Sequence, residues 1–374
     1  MMRRLWEFDA LRGLMLVLMT LTHLPSPLTT PASQPFGYVS AAEGFVLLSA
    51  FMAALVYGRK GLRDGAGVMR GALLRRSAKV YLCHLGLMLF AFTLFAGLAR
   101  YTRQVAATGL LSYYLDAPLT ATLAALVLLY TPPLLDILPI YVMFMLISPW
   151  LMTWGMRNGW STILTASVAL WFGAQFGLGV WLYETLFQSF GIGVPVSQTG
   201  SFALWAWQLL WVIGLWLGAA KAQGQLEVFS IPRSAVRIAW ALALAFLSWR
   251  HLAGPYPFGM ESPLNLLFEK WTLGPLRMIN LFALTILIMH HGPALAARIR
   301  KPGFLVTLGQ SSLTVFCTHL MIVLLALATL GGETEPHDWR VDAPLIALCF
   351  AILYGVAWLG QHRQRTRAGA VMPA

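Results

Sequence analysis

Three ionisable residues near the start of the chain are spaced to share one side of a helix. They are Asp9, Arg12 and His23, in the run Glu7-Phe8-Asp9-Ala10-Leu11-Arg12-Gly13 and the apolar stretch that follows it. Arg12 and His23 are eleven positions apart. At 3.6 residues per turn this is close to three whole turns, so the two side chains share a face about 16 Å apart along the axis. Asp9 lies one turn below Arg12 on the same side. A carboxylate, a guanidinium and an imidazole at successive depths of an apolar helix are the kind of groups that line a polar path through a membrane protein. Taken singly, Arg12 also reads as a snorkelling side chain that marks topology, and His23 as an interfacial residue. Their coincidence on one face is what favours chemistry.

A second carboxylate follows in Phe36-Gly37-Tyr38-Val39-Ser40-Ala41-Ala42-Glu43-Gly44-Phe45-Val46. Ser40 predicts a helix N-cap, which puts Glu43 in the first turn, where the helix dipole favours negative charge. That alone accounts for a carboxylate there. Glu43 is also predicted at the same outer depth as His23. Beside an imidazole it would raise its basicity and fix its tautomer, as a general base requires. The cysteines, Cys83, Cys317 and Cys349, fall inside apolar segments, and none has a base at a readable spacing, so none reads as a nucleophile. Their odd number and placement indicate neither a disulfide framework nor a zinc site, and no metal is assigned.

The elements that must position these residues are membrane helices. Of 374 residues, 58% are hydrophobic and 11% charged, whereas a soluble domain is roughly a quarter charged. Windows of about twenty apolar residues predict spans near Phe8–Leu24, Ala41–Tyr57, Val80–Leu98, Ile137–Trp154 and Trp160–Leu178. Five more are predicted near Phe202–Ala219, Ala235–Leu252, Leu273–His290, Phe304–Leu330 and Pro344–Gly360. No small-residue cleavage site follows the first span, so it is expected to be retained. The reading is an all-α membrane protein, a bundle of about ten transmembrane helices in one domain over residues 1–374. No polar stretch is long enough for a separate soluble domain.

Charge sets the orientation. With both termini cytoplasmic, the basic residues Arg3, Arg4, Arg12, the seven from Arg59 to Lys79, Arg157, Lys221, Arg233, Arg237, Arg298, Arg300, Lys301, Arg363, Arg365 and Arg367 all fall at inner ends. That is 20 of the 26 Lys and Arg, while only Glu7, Asp9, Asp64 and Glu227 of the 14 acidic residues do so. The net charge of +12 therefore reports topology; it forms no single basic stripe, and no nucleic-acid partner is expected. The stretch Leu119–Leu135, interrupted by Pro132 and Pro133, reads as a short re-entrant or interfacial helix on the outer side, with an eleventh crossing as the alternative. Gly179–Ser201, Ala253–Lys270 and Gly331–Asp342 are predicted outer segments. No internal repeat is visible, which weakens a transporter reading.

Several motifs, in order along most of the chain, resemble the OpgC family. They are Asp9-Ala10-Leu11-Arg12-Gly13 with His23; the run from Phe36 through Glu43 to Ser49; Asp136-Ile137-Leu138-Pro139-Ile140-Tyr141; Ala206-Trp207-Gln208; and Gly309-Gln310-Ser311-Ser312 through to His319. The resemblance implies a succinyltransferase of osmoregulated periplasmic glucans in the bacterial inner membrane, within a superfamily of ten-helix membrane acyltransferases. That superfamily carries an Arg, ten residues and a His on its first helix, matched by Arg12 and His23. It implies a catalytic histidine and entry of coenzyme A from the cytoplasm. One departure is Ser49-Ala50-Phe51, where the family pattern has Ser-Gly-aromatic; tighter packing is expected there, with an altered substrate as the alternative.

In that light Arg75, Arg76 and Lys79, at the mouth of the third span, are expected to hold acyl-CoA phosphates, and Asp9 and Arg12, at the inner end of the first, are assigned to acyl-CoA binding as well. The alternative is that cytoplasmic loops are basic in any case. Asp136, Tyr141, Gln208, Arg277, Asn280 and His319 are polar groups in or beside apolar helices and need partners. An acyl and glycan site would supply them, and so would interhelical hydrogen bonds. Arg277 is expected to face either the free carboxylate of a dicarboxylic acyl group or a protein carboxylate, with Asp136 and Glu269 as candidates. His84, His290 and His291 are expected to be structural. The partners so implied are membrane lipid, acyl-CoA as co-substrate with no tightly bound cofactor, and periplasmic glucan; oligomeric state is not legible. Two other classes remain: a transporter or flippase of a lipid-linked or anionic substrate, and a non-catalytic membrane subunit, which would not need His23.

Overall fold

A chain that sits in hydrocarbon must satisfy its backbone internally, and this one does so with helices. The computed structural model describes residues 5–189, 193–225, 231–332 and 338–370, and among them there is no strand. Arg3, Arg4 and Glu227 lie outside the described residues, as do parts of the segments Gly179–Ser201 and Gly331–Asp342. The main helices are α1 (Trp6–His23), α2 (Ala41–Asp64), α3 (Ala66–Phe90), α4 (Ile137–Asn158), α5 (Ser161–Gln175) and α6 (Leu204–Ala222). They continue as α7 (Arg233–Ala253), α8 (Pro275–Arg298), α9 (Gly303–Gln310), α10 (Ser312–Leu330) and α11 (Trp339–Ala370).

All ten predicted windows are helical. Among the described residues, six helices are long and apolar enough to cross a bilayer: α2, the 37-residue run of α3 with its continuation to Thr102, α4, α8, α10, and α11 as far as Arg363. A bent pair, α5 with Leu178–Phe187, makes up to seven. The chain is thus a multi-pass helical membrane protein. The first helix falls outside that set for a chemical reason, since its 18 residues carry Glu7, Asp9 and Arg12.

Three local differences from the sequence expectation have physical causes. Residues 304–330, predicted as one span, break at Ser311, whose φ and ψ are −109° and 28° and whose Oγ donates to Ala357 O at 3.2 Å. The segment after α5, predicted as an outer connection between spans, contains the helix Leu178–Ser189, set off by an 85° bend. Gly177, at φ +81°, makes that turn possible. In the stretch Leu119–Leu135 the structure has one nine-residue helix, Pro118–Leu126, about 13 Å long and too short for a crossing.

Packing divides the chain into two units. One comprises Met1–Ser33, Leu89–Leu111 and Ala294–Ala374, and the other Gln34–Met88 and Ser112–Pro293. Both are assembled from separated stretches, so no linker composition marks a boundary, and the sequence reads as one domain. In the first unit α1 lies on α9 with backbones touching: a Cβ at Gly13 would overlap Leu305 O, and one at Gly309 would overlap Asp9 O. In the second, α2 lies on α6 through Gly214 and Gly218, whose missing side chains make room for Ala50, Ala54 and the Phe51 carbonyl. Ala50, the departure from the family pattern, is fully buried at that contact, consistent with tight packing.

Candidate active site

In the first unit, the end of α1 and the middle of α10 bring two imidazoles together. His23 Nδ1 lies 3.3 Å from His319 Nε2, with the ring centroids 5.6 Å apart and the planes 12° from parallel. His319 is fully buried, with Phe316 edge-on at 4.9 Å, whereas His23 is half-buried. One nitrogen must donate and the other accept. If His23 Nδ1–H donates to His319 Nε2, then His23 Nε2 is left as a basic lone pair, the form a general base needs. In that tautomer His319 would fix both proton position and ring orientation, a task the sequence reading gave to Glu43.

Lower on α1, Asp9 is buried and Arg12 Nη2 donates to Ser312 Oγ at the start of α10. Ser312 was not singled out from sequence. A signal existed: Ser312 and His319 are seven positions apart, two turns and one face. The close approach at Gly13 and Gly309 is what lets a short Ser reach Arg12.

The second unit holds a buried charge network at the N-terminal ends of α2 and α8. Ser40 caps α2 as predicted, and Glu43 completes a capping box, accepting from Ser40 N at 3.1 Å and from Ser40 Oγ. The other Glu43 oxygen accepts from Arg277 Nη1 at 2.6 Å, with Glu43 at 0% and Arg277 at 3% exposure. This corrects the expectation for Arg277: its counter-charge is Glu43, not Asp136 or Glu269. The sequence separation of 234 residues hid the pair. Arg277 Nε also donates to Phe268 O at 2.9 Å, and the Phe268 ring lies 4.1 Å from that of Tyr38. Asn280 Oδ1 accepts from Tyr38 N at 2.8 Å, locking the turn at Gly37, where φ is +99°.

Asp136 stands at the N-cap position of α4, is buried, and accepts from Ser201 N at 2.9 Å rather than from the helix. Burial pushes its carboxyl above the ordinary range, against the pull of the Ser201 bonds and Lys270. Lys270, in the loop before α8, sits 4.6 Å over the Trp271 ring. Burial holds its ammonium below the ordinary value; the Glu43 charge opposes this and that of Arg277 adds to it. Sequence reading passed over Lys270, since its neighbours come from three separate helices.

The remaining predicted residues are dispersed through the second unit. Gln208 is satisfied within the protein, accepting from Ser167 Oγ at 2.7 Å and donating to Ser167 O at 2.8 Å and Trp205 O at 3.0 Å. Tyr141 meets Trp211 edge-on at 5.0 Å. Arg75 and Lys79 are exposed on α3 and Arg76 is half-buried. Arg75, Arg76 and Tyr141 all lie within electrostatic reach of the Tyr57 hydroxyl. Tyr57 was missed, although it is fourteen positions from Glu43, nearly four turns on the same face. His84, Nε2 3.3 Å from Ala125 O, and His291, which accepts from Trp240 Nε1 at 3.1 Å, make packing contacts.

Compared with known proteins, residues 4–365 match the family model described as OpgC protein, nearly the whole chain. No curated protein and no solved structure matches it.

Proposed function

The chain belongs to the OpgC family, and from that premise we propose that it is an inner-membrane O-acyltransferase that moves a succinyl group from cytoplasmic acyl-CoA to hydroxyls of periplasmic glucan. Family membership carries the acyltransferase-type role on glucans. One observation supports a histidine mechanism: the half-exposed His23 imidazole is held against the buried His319 at 3.3 Å. In the reaction His23 Nε2 takes the proton of the acceptor hydroxyl as its oxygen attacks the thioester carbonyl. The C–S bond then breaks, and the CoA sulfur leaves with the proton that His23 had taken. An ester and free CoA are the products.

In this reading the membrane carries about ten crossings with both termini cytoplasmic. Arg75, Arg76 and Lys79 hold CoA phosphates, and Arg12 and Asp9 contribute to acyl-CoA binding. Tyr57 and Tyr141 line the way from the phosphates. The glycan lies at the end of the second unit that carries Asp136 and Asn280, beside Lys270 and the Trp271 ring. Glu43 and Arg277 hold that end in shape. Acyl-CoA is a substrate, with no resident cofactor required.

The test is mass spectrometry of periplasmic glucans from cells carrying wild-type protein, no protein, or His23→Ala. Succinyl esters should appear with wild type only, while His23→Ala accumulates in the membrane at wild-type level. Equal succinylation by His23→Ala would overturn the mechanism, and succinylation without the protein would overturn the function.

A further inference from the structure

The second unit contains a cleft of about 820 Å³ between α4, α5 and α6 that the acyl-transfer reading does not use. Its size falls within the roughly 300–1,000 Å³ of ligand pockets. One face of α4 forms its long wall. Met143, Ile147, Trp150, Trp154 and Arg157 recur at spacings of four and three along that helix, and all line the cleft. Ile147, Trp150 and Trp154 are 51%, 58% and 54% exposed. From Met143 to Arg157 the wall is about 21 Å long.

The wall is polarised. Halfway along, Gln208 and Ser167 satisfy each other, so the middle of the cleft offers a guest hydrocarbon contacts. At one end stand two guanidiniums. Arg70 is anchored by donation from Nε to Thr153 Oγ1 at 2.9 Å, and Arg157 lies one turn further along α4. Thr162, in the first turn of α5, lines the cleft as well. The N–H groups of that turn favour an anion. Among the described residues, no carboxylate lines the cleft.

We propose that this cleft binds one anionic glycerophospholipid, its phosphate on Arg70 and Arg157 and its acyl chains along the tryptophan-lined wall. The dimensions fit a lipid of a single leaflet. Half of a hydrocarbon core of about 30 Å plus a headgroup layer of about 6 Å comes to about 21 Å, the length of the wall. Trp150 and Trp154 sit near the charged end, where aromatic rings mark the headgroup level. Coenzyme A is a poor fit, because its pantetheine and adenosine need polar partners along their length, and Gln208 and Ser167, midway along the cleft, are already bonded to each other.

The experiment uses delipidated full-length protein in detergent, with phosphatidylglycerol and phosphatidylcholine of identical acyl chains as probes and native mass spectrometry as readout. Wild type should retain one phosphatidylglycerol under activation that strips phosphatidylcholine. Arg70→Gln with Arg157→Gln should lower phosphatidylglycerol retention about tenfold, to the phosphatidylcholine level. Ala166→Trp, at an exposed lining position, should reduce retention of both lipids by filling the cleft. His23→Ala should retain the lipid as wild type does, which separates this site from the transfer chemistry. Equal retention of the two lipids by wild type overturns the proposal, as does retention unchanged by either the Arg pair or Ala166→Trp. Displacement of phosphatidylglycerol by succinyl-CoA would assign the cleft to the donor and overturn it too.

Discussion

Replacing Arg277 by Gln is expected to act on folding rather than on the choice of acyl group. The guanidinium is 3% exposed and the Glu43 carboxylate fully buried, with Nη1 and Oε1 2.6 Å apart. Removing one member of such a pair strands the other charge, which costs about 3 to 5 kcal/mol. Loss of the Nε bond to Phe268 O adds about 1 kcal/mol. Against a total stability of about 5–15 kcal/mol for a typical domain, this is a large fraction. Removing both charges is a milder change: Glu43→Gln with Arg277→Met leaves no stranded ion, so the double variant should be more stable than Arg277→Gln alone. The assay is the fraction of monodisperse protein left after graded heating in detergent, read by size exclusion for wild type, both single variants and the double. On the protein that survives, rates from succinyl-CoA and acetyl-CoA are compared. The expected result is a sharp loss of heat resistance in the single variants, partial recovery in the double, and an unchanged succinyl-to-acetyl ratio. Wild-type heat resistance in Arg277→Gln with a ratio shifted toward acetyl-CoA would refute the ion-pair argument and return Arg277 to the substrate.

Substituting His319 by Gln should lower turnover about tenfold to a hundredfold, part of the roughly 10²–10⁴ that a general base contributes. It should also move the acidic limb of the pH–rate profile, while a purely structural His319 would leave that limb in place on the folded fraction. Arg75→Gln with Arg76→Gln should weaken acyl-CoA binding roughly tenfold by calorimetry; unchanged affinity would make these residues topology signals only. Asp136→Asn should be tolerated and should alter the pH dependence of stability. Because burial raises the folded-state pKa of Asp136, the ionised form costs folding free energy above that pKa, and the cost disappears as pH falls below the ordinary carboxylate range near 4. The variant should therefore gain on wild type in heat resistance at pH 8 and lose that gain near pH 4, whereas a gain independent of pH would contradict the assignment.

Much of this protein is determined by local sequence. The apolar runs of about twenty residues in a 58% hydrophobic chain select helices, since a spanning backbone must satisfy itself as helix or closed barrel and barrel strands are short and alternating. The Ser40 cap with Glu43 in the first turn, and the shared face of Asp9, Arg12 and His23, follow from one helix period and needed no tertiary information. The tertiary structure decided which polar groups meet. His319 beside His23, Ser312 beside Arg12 and Glu43 against Arg277 join positions 296, 300 and 234 residues apart. Helical periodicity fixes the face on which a side chain lies, whereas its partner depends on which faces pack together. Here that packing rests on glycines such as Gly13, Gly309 and Gly214, whose absent side chains allow the close backbone approaches. A single sequence shows that those residues are glycine, and only the packed structure shows what each one lies against.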